Sequence, residues 1–311
     1  MNLRLFLCCL LAAPVFGDEV PGTLVELGSF ERLEASGVSY ASGRLAVVDD
    51  TLNSLFLFDA GGRFLSKLDS DSLPVARAKF EDLAFHPATK THFAVGSHEG
   101  WTDETLRELS VLLEFRLDRF DAIDRASTRQ LPLWEGFQAL GLWKPKSMKI
   151  EGLAIDDSGH TLFVGLREPS DRARVYSVSL ALLRAGEPAV SLFLEFDAGD
   201  IEGTPYCISA LTWAPTLGGL LIATSTEQDP SHRFLGNRLW FVRAQTTASP
   251  VLVWDRFDEG MKAEGLALGA GKLFIVYDND QDDTGIPSQL RVVPFDAVVA
   301  KLRPDSGYVT P

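Results

Sequence analysis

Lys149-Ile150-Glu151-Gly152-Leu153-Ala154, followed by Thr161-Leu162-Phe163-Val164-Gly165, decides the fold, because the same frame returns twice more. Lys79-Phe80-Glu81-Asp82-Leu83-Ala84 precedes His92-Phe93-Ala94-Val95-Gly96, and Lys262-Ala263-Glu264-Gly265-Leu266-Ala267 precedes Lys272-Leu273-Phe274-Ile275-Val276. Recurrence of a frame with its following apolar run means stacked supersecondary units. Two weaker copies carry Ser in place of Glu: Ser36-Gly37-Val38, before Gly43 to Val48, and Ser209-Ala210-Leu211, before Gly219 to Thr224. The starts fall roughly 45 to 70 residues apart, the spacing of four-stranded propeller blades.

Further strands complete each unit. They read as short β-branched and aromatic runs bounded by Gly, Pro, Asp and Ser, such as Leu55 to Phe58, Val175 to Val178 and Leu239 to Val242. The unit beginning at Lys262 runs out after Gln289 to Val293, one strand short. Thr23 to Leu27 reads like an outer strand, and an N-terminal strand that finishes the last blade closes the ring and removes its edges. The expectation is therefore an all-β protein: a single propeller of five blades, with a sixth blade inside 116–148 as the alternative. A helix is expected from Thr102 to Leu113, as an insertion on a loop of the second blade.

Met1 to Arg4 carries one positive charge, and an apolar run from Leu5 to Phe16 ends at Val15-Phe16-Gly17. That pattern reads as a cleavable secretory leader over 1–17, with the propeller over 18–311 and a periplasmic or secreted destination. The run is too short to span a bilayer. Cys207 is the one cysteine outside the leader, so no intrachain disulfide is expected. The net charge is −14 over 311 residues, which argues against nucleic acid and anionic membranes as partners. Oligomeric state leaves no trace in the sequence.

Alignment of the units puts Ser36, Glu81, Glu151, Ser209 and Glu264 at one level of the central channel. Glu34, Lys79, Lys149, Cys207 and Lys262 lie two residues earlier, on the same side by the strand period. The next strand ends in a second polar layer of Asp50, His98, Arg167, Ser225 and Asp278, delivered to one mouth. Carboxylates gathered in a narrow channel repel unless compensated. Three readings stand: a Ca²⁺ ion held by Glu81, Glu151 and Glu264 with Asp50 and Asp278; a salt-bridge network through Lys79, Lys149, Lys262 and Arg167; or Glu side chains capping backbone N–H groups. His98 and Arg167 are the candidate catalytic pair, as base and oxyanion clamp. The bland reading of a lone strand-end His is a structural one. The loop Asp278 to Gly285 begins like a Ca²⁺ loop but lacks the sixth-position Gly and twelfth-position Glu of an EF-hand. It is equally a solvated turn. Cys207 reads as a small buried hydrophobe. Serine-hydrolase elbow, zinc-protease, phosphate-loop and dinucleotide motifs are absent.

Ile150-Glu151-Gly152-Leu153-Ala154 with Leu162-Phe163-Val164-Gly165-Leu166-Arg167 resembles an uncharacterised family of secreted bacterial propellers built on the Glu-Gly-Leu-Ala frame. More distantly it is similar to esterase-like phytase and SdiA-regulated propellers. The resemblance covers most of the chain beyond the leader. It implies Ca²⁺ binding and hydrolysis of phosphate or carboxylic esters, while Ser36 and Ser209 depart from an all-carboxylate ring. Two functions follow. One is a ligand-binding or envelope-associated propeller for a small or phosphorylated molecule. The other is a metal-assisted ester or phosphoester hydrolase. Any ligand is expected at the mouth of Asp50, His98, Arg167 and Asp278, under a lid from 100–110. The opposite mouth, with turns such as Asp156-Asp157-Ser158-Gly159, is expected to hold none.

Overall fold

The computed structural model describes residues 17–28, 33–68, 73, 75, 78–119, 121–145, 148–167, 172–228, 233–244, 249–278 and 287–303. Five four-stranded antiparallel sheets form a five-bladed β-propeller. From axis to rim, blade 1 holds Ala35–Ala41, Arg44–Asp49, Leu55–Asp59 and Phe64–Leu68. Blade 2 holds Phe80–His86, Thr91–Gly96, Leu112–Phe115 and the two-residue Arg129–Gln130. Blade 3 holds Lys149–Ile155, Thr161–Arg167, Ala173–Ser179 and Val190–Phe196. Blade 4 holds Cys207–Ala214, Gly219–Gln228, Arg233–Arg243 and Val251–Phe257. Blade 5 holds Lys262–Gly269, Lys272–Asp278 and Gln289–Pro294.

The N-terminal strand Thr23–Glu26 supplies the missing fourth strand of blade 5, pairing Thr23 with Val292 and Glu26 with Gln289. Ser288 fastens this closure. Its carbonyl accepts Leu27 N–H at 2.9 Å, and its hydroxyl donates to Leu33 O at 2.7 Å while accepting Ala35 N–H at 3.1 Å. The chain that finishes the last blade is thus tied directly to the start of the first.

Both faces of a blade pack against neighbours, so its middle strands are apolar on both sides instead of alternating. Gly219–Gln228, for instance, is buried over its first eight residues. Among the described residues the core divides into five apolar clusters, one at each blade interface. Phe93 and Leu112 of blade 2 meet Ile150 and Val164 of blade 3 in one of them, and Phe58 of blade 1 meets Phe274 of blade 5 in another. Five clusters for five interfaces is what a closed ring requires.

The stretch considered for a sixth blade holds the bridge between Leu117 and Ile123, a 3-10 turn at Arg125–Ser127 and the helix Leu133–Ala139. Pro132 removes a ladder donor where the fourth strand would continue, so the chain leaves the sheet there. The expected helix over 102–113 is shorter, Asp103–Leu109. Thr102 caps its N-terminus, and Leu112 and Leu113 go to blade 2 instead.

Candidate functional site: the charged end of the axial channel

An inner strand has no ladder partner on its axial side, and its side chains alternate toward the two flanking blades. Ile150 joins the cluster shared with blade 2, while a Cβ on Gly152 would lie 2.7 Å from Leu211 of blade 4. The residue between them would have no outlet in a regular strand. In this protein it sits in a β-bulge. Register slips between Ile150 and Gly152, and likewise at Phe80/Asp82, Ala263/Gly265, Ala35/Gly37 and Ile208/Ala210. All five blades therefore bulge at the aligned position, and the bulged residues are Glu151, Glu81, Glu264, Ser36 and Ser209. A bulge re-aims one side chain. Here it turns the three carboxylates together, with oxygens within 4.8 Å of one another and all three residues buried.

Four cations meet them. Lys149 Nζ lies 2.6 Å from Glu151 Oε1 and 3.5 Å from Glu81 Oε1. Lys262 pairs with Glu264, and also reaches Glu227 at 3.6 Å. Arg167 bridges Glu151 at 3.3 Å and Glu227 at 3.1 Å. Lys79, in the left-handed region at φ 44°, reaches Glu81 at 3.7 Å and Asp50 at 3.8 Å. Glu227, at the end of a long strand in blade 4, was not among the expected site residues. Nothing in its local sequence marks it, because blade 4 reaches the mouth only through two strands longer than their counterparts.

Three close carboxylates cannot ionise alike. Burial lifts Glu81 to about 7, with Lys149 pulling down and Glu151 pushing up. Burial likewise lifts Glu264 to about 7 against the pull of Lys262. Burial also penalises Glu151, but Lys149 and Arg167 overcome it and hold that carboxyl at about 2. Burial alone would lower Lys149, yet Glu151 and Glu81 keep its ammonium above the ordinary value. Glu151 thus stays ionised near neutrality, while Glu81 and Glu264 exchange protons there.

These groups do not fit a resident divalent ion. Three carboxylates at this separation supply the ligands a Ca²⁺ ion takes. But Lys149 already sits between two of them and Lys262 on the third, so an ion would have to expel both ammonium groups. The salt-bridge reading of the Lys-x-Glu frame is the arrangement found. Of the other expected metal ligands, Asp50 stands at the rim on Lys79, and Asp278 is in register with Lys262 at a strand end. The acidic run 279–285 lies outside the described residues.

His98 is placed differently from the mouth position expected of it. It is wholly buried, takes up φ 52°, and its Nδ1 bonds Gly96 O at 2.9 Å. Burial lowers its pKa to about 4 despite that bond, so the ring is neutral. Among the described residues Arg167 bonds Glu151 and Glu227 whereas His98 bonds Gly96 O, and no hydrogen bond joins the two side chains. Cys207 borders the cluster, its thiol pushed up by burial and influenced by Arg167 and Glu151. Ser209 Oγ is buried without a hydrogen-bond partner among the described residues.

Asp82, where the frame otherwise has Gly or Ala, is a structural centrepiece the repeat pattern did not single out. Its Oδ1 accepts Leu83 N–H at 2.7 Å and its Oδ2 accepts Leu153 N–H from blade 3 at 2.6 Å. Burial raises its carboxyl well above the usual range, against backbone hydrogen bonds from Leu153, Leu83 and Leu211. One side chain therefore ties blades 2, 3 and 4 beside the axis. The available signal was the single departure from Gly among the three strong copies.

Beside the mouth, a cavity of about 300 Å³ lies between Lys79, Glu99, Trp101 and the short helix, lined there by Thr105 and Glu108. Trp101 is 72% exposed.

No family model matches the chain, and no curated protein matches it. Solved structures resemble it in fold. A luciferin-regenerating enzyme shares 10% identity, with 88% of this chain and 95% of that chain covered, at a TM-score of 0.45. The Cps50 (Swd1) β-propeller domain of Myceliophteria thermophila shares 9%, with 88% and 99% covered, at 0.43. A protein of unknown function from Bacteroides thetaiotaomicron shares 9%, with 88% and 74% covered, at 0.45. Likenesses of this order say nothing of activity.

Proposed function

We propose that this chain is a secreted or periplasmic ligand-binding β-propeller, and that its charged mouth receives a small molecule bearing a phosphate or carboxylate. The observation that supports this most strongly is the lodging of Lys149 between Glu81 and Glu151. The internal ammonium takes the place a catalytic metal would need, while Arg167 and Lys79 remain partly open to solvent. An arriving anion would take up Arg167, whose planar fork suits both groups, as Glu81 and Glu264 keep their protons. The cavity beside Lys79 and Trp101 would hold the rest of the ligand. The leader-like residues 1–17 support export. His98, buried and neutral, makes its ring hydrogen bond to Gly96 O, which does not support the role of water-activating base expected of it.

Calorimetric titration with inorganic phosphate and with citrate, at pH 6 and 8, tests this reading. Saturable binding, stronger at pH 6 and lost in Arg167→Ala, is expected. Metal-dependent turnover of chromogenic phosphate or carboxylic esters would instead establish the hydrolase reading.

A further inference from the structure

At the opposite end of the channel all five blades line a second cavity, of about 320 Å³. Its floor is one apolar residue per blade, Val38, Leu83, Leu153, Leu211 and Leu266, each at most 2% exposed. Two residues further along the same strands come the walls: Tyr40, Phe85, Ile155, Trp213 and Leu268, all of which line the cavity. The floor residues follow the bulged Glu and Ser positions by two, so an apolar layer separates this cup from the charged cluster. The volume lies within the range of small-molecule sites.

The chemistry of the lining is one-sided. Among the described residues that line it there is no Lys, Arg or His, and the carboxylates are Asp156 and Asp157 of blade 3. Asp156 is held in its turn by the N–H groups of His160, at 2.8 Å, and Thr161, at 3.1 Å. Asp157 is exposed at the rim. The aromatic faces are rigidly set: Tyr40 stacks on Phe274 at 5.3 Å, and Trp213 on Phe163 at 5.7 Å. An anion would meet like charge and find no donor cation. A positively charged group would meet carboxylates and aromatic rings, which attract cations. The chain as a whole, at −14, favours the same sign.

We infer that this apolar cup is a binding site for a small amine-bearing molecule with an apolar ring body, separate from the charged mouth. The body fills the space above the floor, and the ammonium stays at the rim near Asp157 and the aromatic walls.

Matched probes test it: 1-naphthylmethylammonium against 1-naphthylacetate, titrated into the whole protein by calorimetry. One ammonium probe per chain is expected, with the acetate at least about ten-fold weaker. Thr212, half-buried, also lines the cup, so Thr212→Trp, which fills it, should abolish binding, and so should Leu268→Arg, which brings a cation into it. Thermal melts show which variants are folded, and either folded variant suffices. Asp157→Asn should weaken the ammonium probe about two- to five-fold. Equal binding of the two probes, retention of binding in a folded Thr212→Trp or Leu268→Arg protein, or no saturation by either probe would overturn the inference.

Discussion

Lys149 Nζ lies 2.6 Å from Glu151 Oε1 and 3.5 Å from Glu81 Oε1, so one ammonium from blade 3 serves carboxylates of two blades. Removing one member of a buried ion network leaves its partners charged and desolvated, which costs more than the network itself contributes. Lys149→Met should therefore destabilise the fold by about 3–5 kcal/mol in urea denaturation. Lys79→Met, at a side chain 36% exposed, should cost under about 1 kcal/mol. Equal effects from the two substitutions would contradict the geometry.

The same cluster sets a pH dependence. Glu81 and Glu264 are raised to about 7 in the folded protein, above the ordinary 4.5. Between those values the folded state binds more protons than the unfolded one, so stability falls as pH rises from about 5 to 8. Glu151, held at about 2, acts in the other direction, and its contribution is lost only as pH falls below about 4. Glu81→Gln should flatten the decline between pH 5 and 8 by on the order of 1–3 kcal/mol. A wild-type protein whose urea midpoint is level across that interval would refute the assignment.

Asp82→Gly restores the residue found in blades 3 and 5 but strands buried N–H groups, those of Leu83 and Leu153 among them. A loss of about 2–5 kcal/mol is expected, since each unsatisfied buried donor costs about 1–3 kcal/mol. Hydrogen exchange at Leu153 should accelerate in parallel. An unchanged Leu153 rate would show that its N–H does not depend on Asp82.

Truncation to Ser288-side closure is testable as well. A chain beginning at Leu27 exposes the edge Gln289–Pro294 and opens blade 5. Light scattering should then report association through that edge. A truncated protein that stays monomeric with an unaltered melting temperature would contradict closure by Thr23–Glu26.

Much of this architecture was readable in advance, and particular residues show why. The Glu151 frame marked the inner strands because a ring repeats one environment five times, and the missing partner for Gln289–Pro294 pointed to the N-terminus. The bulges were invisible, since a register slip belongs to a pair of strands and leaves no mark on one strand beyond the Gly after Glu151 and Glu264. His98 was misplaced because a strand-end position says nothing of φ, and at 52° the ring turns into the protein. The floor from Val38 to Leu266 looked like ordinary core. Only the convergence of five strands makes it the base of a cup.

The central claim is that lysine and arginine, not a metal, neutralise the carboxylate trio. Metal content of protein purified without chelator, together with its melting temperature in Ca²⁺ and in EDTA, tests this most directly. The account predicts less than about 0.1 mole of divalent ion per chain and the same melting temperature in both, because a ligand bound only by the folded state would raise it. One mole of Ca²⁺ per chain, with a melting temperature that drops in EDTA and is insensitive to Ca²⁺ in Glu151→Gln, would contradict it.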